Sequence, residues 1–294
     1  MMHPHCRNTN WPSIACSLRA AALFMASASL FANVDAKTLC TAVADGASGR
    51  LLTQDGTCDG RVTPASTFKI AISLMGYDAG FLSDEHSPAL PFRPGYPDWI
   101  PSWRTTTDPT SWMKNSVVWY SQQVTAHLGE ARFQRYVAAF HYGNEDVAGD
   151  PGKRNGLTHA WLSSSLQISP LEQLAFLEKF VRRQLPIKDR AYEMTGRVTA
   201  LGVLGSGWEV HGKTGTGFPV APDGSSDEDH AFGWFVGWAS KNVHSVVFVR
   251  LIQDDRAETI SAGKRARDAF MKELPQILDA RELSGYDPVH EGAQ

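Results

Sequence analysis

A serine three residues before a lysine can place a nucleophile and its base on one face of a helix, because positions i and i+3 are neighbours there. The sequence holds three such pairs: Ser66 with Lys69, Ser111 with Lys114, and Ser261 with Lys264. Their surroundings differ. Ser66 opens an apolar run, "STFKIAISLM" (66–75). A helix starting there offers its N-terminal N–H groups to an oxyanion. Phe68, Ile70 and Ile72 promise a dry setting, in which a lysine can lose its proton and act as a base. Ser111 lies in a stretch rich in Pro, Trp and turn formers (84–112) that reads as irregular, with Lys114 exposed. Ser261 opens a basic, solvated helix end and reads as a cap. The pair to choose is Ser66 and Lys69.

A second stretch, "GWEVHGKTGTG" (207–217), has two chemical readings. Gly207 to Thr214 fits G-x-x-x-x-G-K-[ST], a phosphate-cradling loop that must follow a strand and open a helix. Here Trp208, Glu209, Val210 and His211 read as strand, and "GTGFPVAPDG" after Thr214 cannot start a helix. Glu209 would also set a negative charge near the phosphates. The other reading is K-T-G, Lys213-Thr214-Gly215, which serves a nucleophilic serine from the edge of a sheet. Lysine supplies positive charge, threonine a hydroxyl, and glycine lets a substrate approach the backbone closely. No nucleotide is expected.

The elements that must position these residues follow from pattern. Residues 38–54 read as two strands, 65–75 as a buried helix, and 129–140 and 170–185 as helices with 3.6 periodicity. "GWEVHGKTG", "AFGWFVGWAS" (231–240) and "SVVFVRLIQ" (245–253) read as consecutive strands, and 261–278 closes the chain as a helix. Strands at both ends with helices between predict an α+β fold. It is an antiparallel sheet flanked by helices, with a helical insertion at roughly 70–190 as subdomain.

The 294 residues suit one large domain, and the formal net charge of −3 shows no basic excess of the kind nucleic-acid binding needs. The N-terminus differs from the rest. Arg7 and Arg19 precede the uncharged run "AAALFMASASLFA" (20–32), too short to span a bilayer and suited to a signal peptide. Cleavage is expected after "VDA" (34–36) or after Ala32, giving a signal peptide 1–36 and one catalytic domain 37–294. Cys6 and Cys16 leave with the leader. Cys40 and Cys58 flank a predicted hairpin, where a disulfide and two buried thiols are both compatible with the pattern. Beyond the leader the histidines form no H-x-H or H-E-x-x-H, so no metal is expected, and there is no G-x-S-x-G elbow. "WIPSWRTTTDPTSW" (99–112) reads as a packed loop that could rim a cleft. "PDGSSDED" (222–229) reads as a solvated turn.

"STFK" (66–69), "SVV" (116–118), "YGN" (142–144), "WLSSSLQIS" (161–169) and "KTG" (213–215) occur in this order. The set resembles the class D, oxacillin-hydrolysing serine β-lactamases over most of the mature chain. Class A enzymes would carry Ser-Asp-Asn where this chain has Ser116-Val117-Val118. The resemblance implies the serine β-lactamase / penicillin-binding transpeptidase-like fold and a small-molecule β-lactam substrate. It implies that Ser66 attacks the lactam carbonyl and that Lys69, carboxylated by CO2, is general base in both steps. No other cofactor is implied. By the same resemblance Ser116 relays a proton to the leaving nitrogen, Val118 walls the carbamate, and the Trp161 indole donates to it. Lys213, Thr214 and Gly215 bind substrate, and the N–H groups of Ser66 and Thr216 form the oxyanion hole. Tyr142-Gly143-Asn144 looks structural. The residues themselves support the unusual base, since 151–171 offers no Asp or Glu to activate water. Without the resemblance, core packing explains Trp161 as well.

One departure concerns the family's arginine for the substrate carboxylate, whose position falls at about Gly263. Lys264, Arg265 and Arg267 lie near, on a helix face that reads as solvated, so Lys213, Thr214 and Thr216 are left to carry that contact. The expected setting is the periplasm, with no membrane contact after signal cleavage and no nucleic-acid partner. Two other functions fit the same superfold: a cell-wall DD-peptidase or transpeptidase, and a non-hydrolysing β-lactam sensor. Such proteins usually carry further domains or membrane segments, for which the chain is expected to have no room.

Overall fold

The computed structural model describes residues 36–221 and 223–284. Residues 1–35, which hold the expected leader with Cys6 and Cys16, Pro222 in the acidic stretch, and residues 285–294 lie outside the described residues. The chain begins as a hairpin, β1 (Lys37–Asp45) and β2 (Leu51–Gly56). Asp45 shapes its turn: Oδ1 accepts from the backbone N–H of Ser48 at 2.8 Å and from its hydroxyl at 2.7 Å. Cys40 pairs across the hairpin with Gly56, two residues short of Cys58. That register brings the cysteine Cα atoms to 5.1 Å, and they form a disulfide.

The remaining strands come late in the chain: β3 (Ala200–Val203), β4 (Glu209–Gly217), β5 (Phe232–Lys241) and β6 (His244–Gln253). The sheet order is β2-β1-β6-β5-β4-β3, and every neighbouring pair is antiparallel. The first strand thus closes on the last, as the expected α+β layering requires. Side chains alternate between two cores, because the strand period is 2. Trp234, Val236, Trp238, Val247, Val249 and Leu251 face the helical side. Phe235, Ala239, Val246, Phe248 and Ile252 face α8 (Ala262–Ser284), which meets them with Ala262, Ala266, Phe270, Leu274 and Leu278, a stripe spaced by four.

Between β2 and β3 the chain builds its helical part. A 3-10 turn, Ala65–Phe68, leads into α1 (Lys69–Asp78), which is buried from Lys69 to Tyr77. A helix enclosed on all sides shows no polar stripe, and α1 packs against α3 (Val118–Leu128) and α7 (Asp189–Val198). Two shorter elements, α2 (Pro109–Asn115) and α5 (Gly156–His159), accompany α4 (Glu130–Phe140). The last of this group, α6 (Pro170–Val181), lies against β1, β5 and β6.

Several boundaries differ from the sequence reading. The stretch 84–112 is not irregular to its end, because α2 starts at Pro109. Asp108 caps it, proline stands in the first turn, and Ser111 completes a capping box. Ser111 is therefore a helix-cap residue rather than a loop serine. The expected helix 170–185 stops at Val181, and the final helix extends past 278 to Ser284. Gly207–Thr214 does not form a loop opening a helix, since strand begins at Glu209.

Candidate active site

Ser66 lies in the 3-10 turn and Lys69 opens α1 directly behind it. The turn starts from Ala65 at φ +48°, and Thr67 stitches it, its hydroxyl donating to the Pro64 carbonyl at 2.6 Å. Gln173 on α6 in turn donates to the Thr67 hydroxyl at 2.7 Å. So fixed, Lys69 Nζ donates to Ser66 Oγ at 2.9 Å. Lys69 is fully buried. Burial, then the positive charge of Lys213, holds its pKa well below the ordinary lysine range. A buried amine whose charge the site disfavours, hydrogen-bonded to a hydroxyl, is an arrangement that can activate a serine.

Ser116 and Val118 lie at the junction of α2 and α3. Ser116 ends α2 in the left-handed conformation, φ +57° and ψ +34°, and α3 starts two residues on at the buried Val118. Trp161 is fully buried, 5.8 Å ring to ring from Phe68, the residue before Lys69. Phe133 and Tyr142 complete this aromatic wall. The Trp161 indole N–H has no hydrogen-bond partner among the described residues. A buried donor left unpaired costs about 1–3 kcal/mol, so it marks a place where an acceptor belongs. Tyr142-Gly143-Asn144 is a brace: Asn144 donates to the Ser165 carbonyl at 2.8 Å and accepts from the Gln167 N–H at 3.0 Å.

Lys213, Thr214, Gly215 and Thr216 lie along β4. The ladder with β3 covers only Glu209–His211, so beyond Gly212 the outer edge of β4 faces the Ser66 turn. Gly215 has a reason not seen from sequence. A β-carbon there would stand 3.0 Å from the Pro64 carbonyl and 3.2 Å from the Thr67 nitrogen. It is the nucleophile turn, rather than a substrate alone, that needs the bare backbone. On the other side Gly263, at the start of α8, packs on the Gly215 backbone, and its N–H donates to Thr216 Oγ1 at 3.0 Å. An arginine at position 263 would collide with Gly215, so this chain does not carry the family contact there.

The cations near Gly263 are sorted by their partners. Arg265 turns back to Asp254 and the Ile260 carbonyl, and Lys264 pairs with Asp268. Arg267 also bonds Asp268, yet its charge bears on Lys213. Lys213 lies on β4 as expected but is enclosed. It is only 5% exposed, donates to the Thr214 carbonyl at 3.0 Å, and burial with Arg267 lowers its pKa to about 7. The other two serine–lysine pairs stay apart from the site's chemistry: Ser111 is in its capping box, Lys114 and Ser261 are exposed. Thr63, Ser163 and Gln173 escaped the sequence reading, because no short motif marks a residue that acts by holding others, and Arg267 was read only as part of a solvated helix face. A cleft of about 1130 Å³ opens beside the site, between the 146–165 segment and the chain leaving β4. It is lined by Thr63, Ser163 and Phe218 but by neither Ser66 nor Lys69.

The fold and this serine–lysine arrangement define a class. Residues 21–276 match the penicillin binding protein transpeptidase domain. Beta-lactamase OXA-9 of Klebsiella pneumoniae is 44% identical over 243 residues, 81% of this chain and 88% of that protein. Beta-lactamase OXA-1 of Escherichia coli is 34% identical over 274 residues, 89% and 95% of the two chains. The crystal structure of the OXA-427 class D beta-lactamase is 49% identical with a TM-score of 0.79, covering 82% of this chain and 98% of that one. The chain belongs to the class D serine β-lactamases.

Proposed function

We propose that this protein hydrolyses β-lactam antibiotics through an acyl-enzyme on Ser66. The observation that carries the reading is the 2.9 Å hydrogen bond between Ser66 Oγ and a buried lysine whose charge the site disfavours. In acylation the Ser66 proton passes to the base at Lys69 and Oγ attacks the lactam carbonyl carbon. The ring C–N bond then breaks, and Ser116 passes a proton to the leaving nitrogen. Backbone N–H groups of Ser66 and Thr216 receive the oxyanion, and Lys213, Thr214 and Thr216 hold the substrate carboxylate. A water, deprotonated at Lys69, cleaves the ester and frees Ser66.

The base is best read as Lys69 carboxylated by CO2. A neutral amine can add CO2, and the partnerless Trp161 indole N–H and the Ser66 hydroxyl suit the anion that results. A carbamate there, walled by Val118, supplies a general base where residues 151–171 offer no carboxylate. Export to the periplasm by the N-terminal leader completes the proposal. A disulfide between Cys40 and Cys58 supports an oxidising compartment.

The test is turnover of a small panel of penicillins, cephalosporins and carbapenems, with intact-protein mass spectrometry. A penicillin adduct on Ser66, steady turnover, and loss of both in Ser66→Ala are expected. A burst with no further turnover makes the protein a sensor instead. Carbon-13 NMR with labelled bicarbonate should show a carbamate. Activity lost in degassed, mildly acidic buffer should return with bicarbonate. Activity indifferent to bicarbonate, with no carbamate signal, would leave Lys69 a plain amine.

A further inference from the structure

Thr63 stands three residues before Ser66 and is 3% exposed. Its hydroxyl donates to the Trp161 carbonyl at 3.0 Å and accepts from the Ser163 N–H at 3.0 Å. Its own carbonyl accepts from the Trp234 indole at 2.9 Å. Trp234 lies opposite Gly215 in the β4–β5 ladder. Ser163 continues the chain of contacts, since its Oγ accepts from the Phe218 N–H at 3.0 Å, just past the end of β4. Gly217 leaves the room this needs, because a β-carbon there would strike the Thr63 methyl.

Ser163 holds this place at a cost. Its φ is +53°, the left-handed region, which disfavours a non-glycine residue. Glycine would relieve that strain but has no hydroxyl for Phe218. Strain of this kind persists where the surroundings over-determine it. Three parts of the site therefore meet at two side chains: the nucleophile turn, the Trp161 loop and the β4 end beyond Thr216.

We infer that Thr63 and Ser163 are positioning residues that fix the Trp161 indole relative to Lys69 and so set how readily Lys69 holds its carboxylate. The inference rests on the carboxylated base proposed above. Thr63→Val keeps the shape and the methyl against Gly217. It strips the hydrogen bonds from the Trp161 carbonyl and the Ser163 N–H, so the loop carrying the indole loses its anchor. The chemistry itself needs no new group; what changes is the population of carbamate at a given bicarbonate concentration.

The experiment titrates labelled bicarbonate into the wild type and variants, reading the carbamate signal by carbon-13 NMR and regained activity in parallel. Thr63→Val should raise the half-saturating bicarbonate about fivefold to tenfold, as loss of a buried hydrogen bond allows. Thr63→Ser, which keeps the hydroxyl, should stay within about twofold, and Ser163→Ala should shift it about twofold to threefold. In a Trp161→Phe background Thr63→Val should add nothing, because the donor it positions is gone. A Thr63→Val protein that loses thermal stability but keeps the wild-type half-saturation overturns the inference. So does a shift of the same size with Trp161 absent. If Thr63→Val does not fold, Ser163→Ala decides alone, and an unmoved titration refutes the proposal. A wild type without carbamate removes the base assignment and this inference together; unmoved variants beside a carbamylated wild type remove only this one.

Discussion

Replacing Lys213 with methionine should make the protein more stable while it loses activity, and the gain should depend on pH in a defined direction. Lys213 is 5% exposed, and its pKa falls from 10.5 to about 7, mainly through burial and then through Arg267. Below pH 7 the ammonium is charged in both folded and unfolded chains, and the folded chain bears the full penalty of holding it. At about 1.4 kcal/mol per pH unit the penalty is on the order of 5 kcal/mol. Methionine fills the same volume without charge but forfeits the bond to the Thr214 carbonyl, 3.0 Å long, worth about 1 kcal/mol. The net gain is therefore about 4 kcal/mol as an upper bound. From pH 7 to about 10 the wild-type folded state sheds its proton before the unfolded state does. The unfolded state then binds more protons, so wild-type stability rises with pH and the gap to the variant closes. Urea unfolding followed by tryptophan fluorescence at pH 6, 7, 8 and 9 reads this directly. A difference that is flat with pH, or that widens toward alkali, would refute the burial argument. The same variant removes a charge that depresses Lys69, so the acidic limb of its residual activity should move to higher pH.

Three further outcomes follow from the packing. Cys40→Ser with Cys58→Ser opens a loop of sequence separation 18 and should cost about 3 kcal/mol of stability; an unchanged urea midpoint would contradict it. Gly215→Ala presses a methyl on Pro64 and Thr67, so kcat should fall with about 1–3 kcal/mol of stability; full activity would mean the Ser66 turn yields freely. Arg267→Gln removes a charge that lowers Lys213, so the alkaline limb of kcat/KM should move to higher pH, and an unmoved limb would deny the coupling.

How much of this was legible in the sequence depends on which physical signal each part leaves. The spacing of Ser66 and Lys69 encodes a contact on one helical face, and they meet at 2.9 Å. The strands β4, β5 and β6 announce themselves as strand-like runs between turn signals, β5 and β6 being apolar on both faces because both are buried. The helix α3 does not, because "VWYSQQVTAHL" is buried on most sides and so lacks a clean polar face. The edge strand β3 is exposed throughout and carries Gly202, which hides it equally well. For α2 the signal was present in Asp108 and Pro109 but was outweighed by the turn formers around it. Lys213 was legible as a cation beside the serine, whereas its burial comes from facing, with its ladder partner Val236, the helical side of the sheet. Through-space facts of that kind leave no local pattern.

The glycines show how a short motif can carry more than chemistry. Lys213-Thr214-Gly215 has been read as a set of groups aimed at substrate, yet Gly215 touches neither charge nor proton. Its missing side chain lets the Ser66 turn press on one side of β4 while Gly263 presses on the other. The close approach brings the Thr216 hydroxyl within 3.0 Å of the Gly263 N–H, and sets β4 against the turn that carries the nucleophile. An arginine reaching a substrate from position 263 is incompatible with that layer, because a β-carbon alone already overlaps the Gly215 carbonyl. The proposed partner for an anionic substrate, Lys213, is buried on the Ser66 side of β4, and burial with Arg267 brings its pKa to about 7. Tight layering and lowered lysine pKa values thus go together: burial at the site makes both Lys69 and Lys213 easier to deprotonate, and a lysine that gives up its proton at position 69 is what the proposed acylation needs.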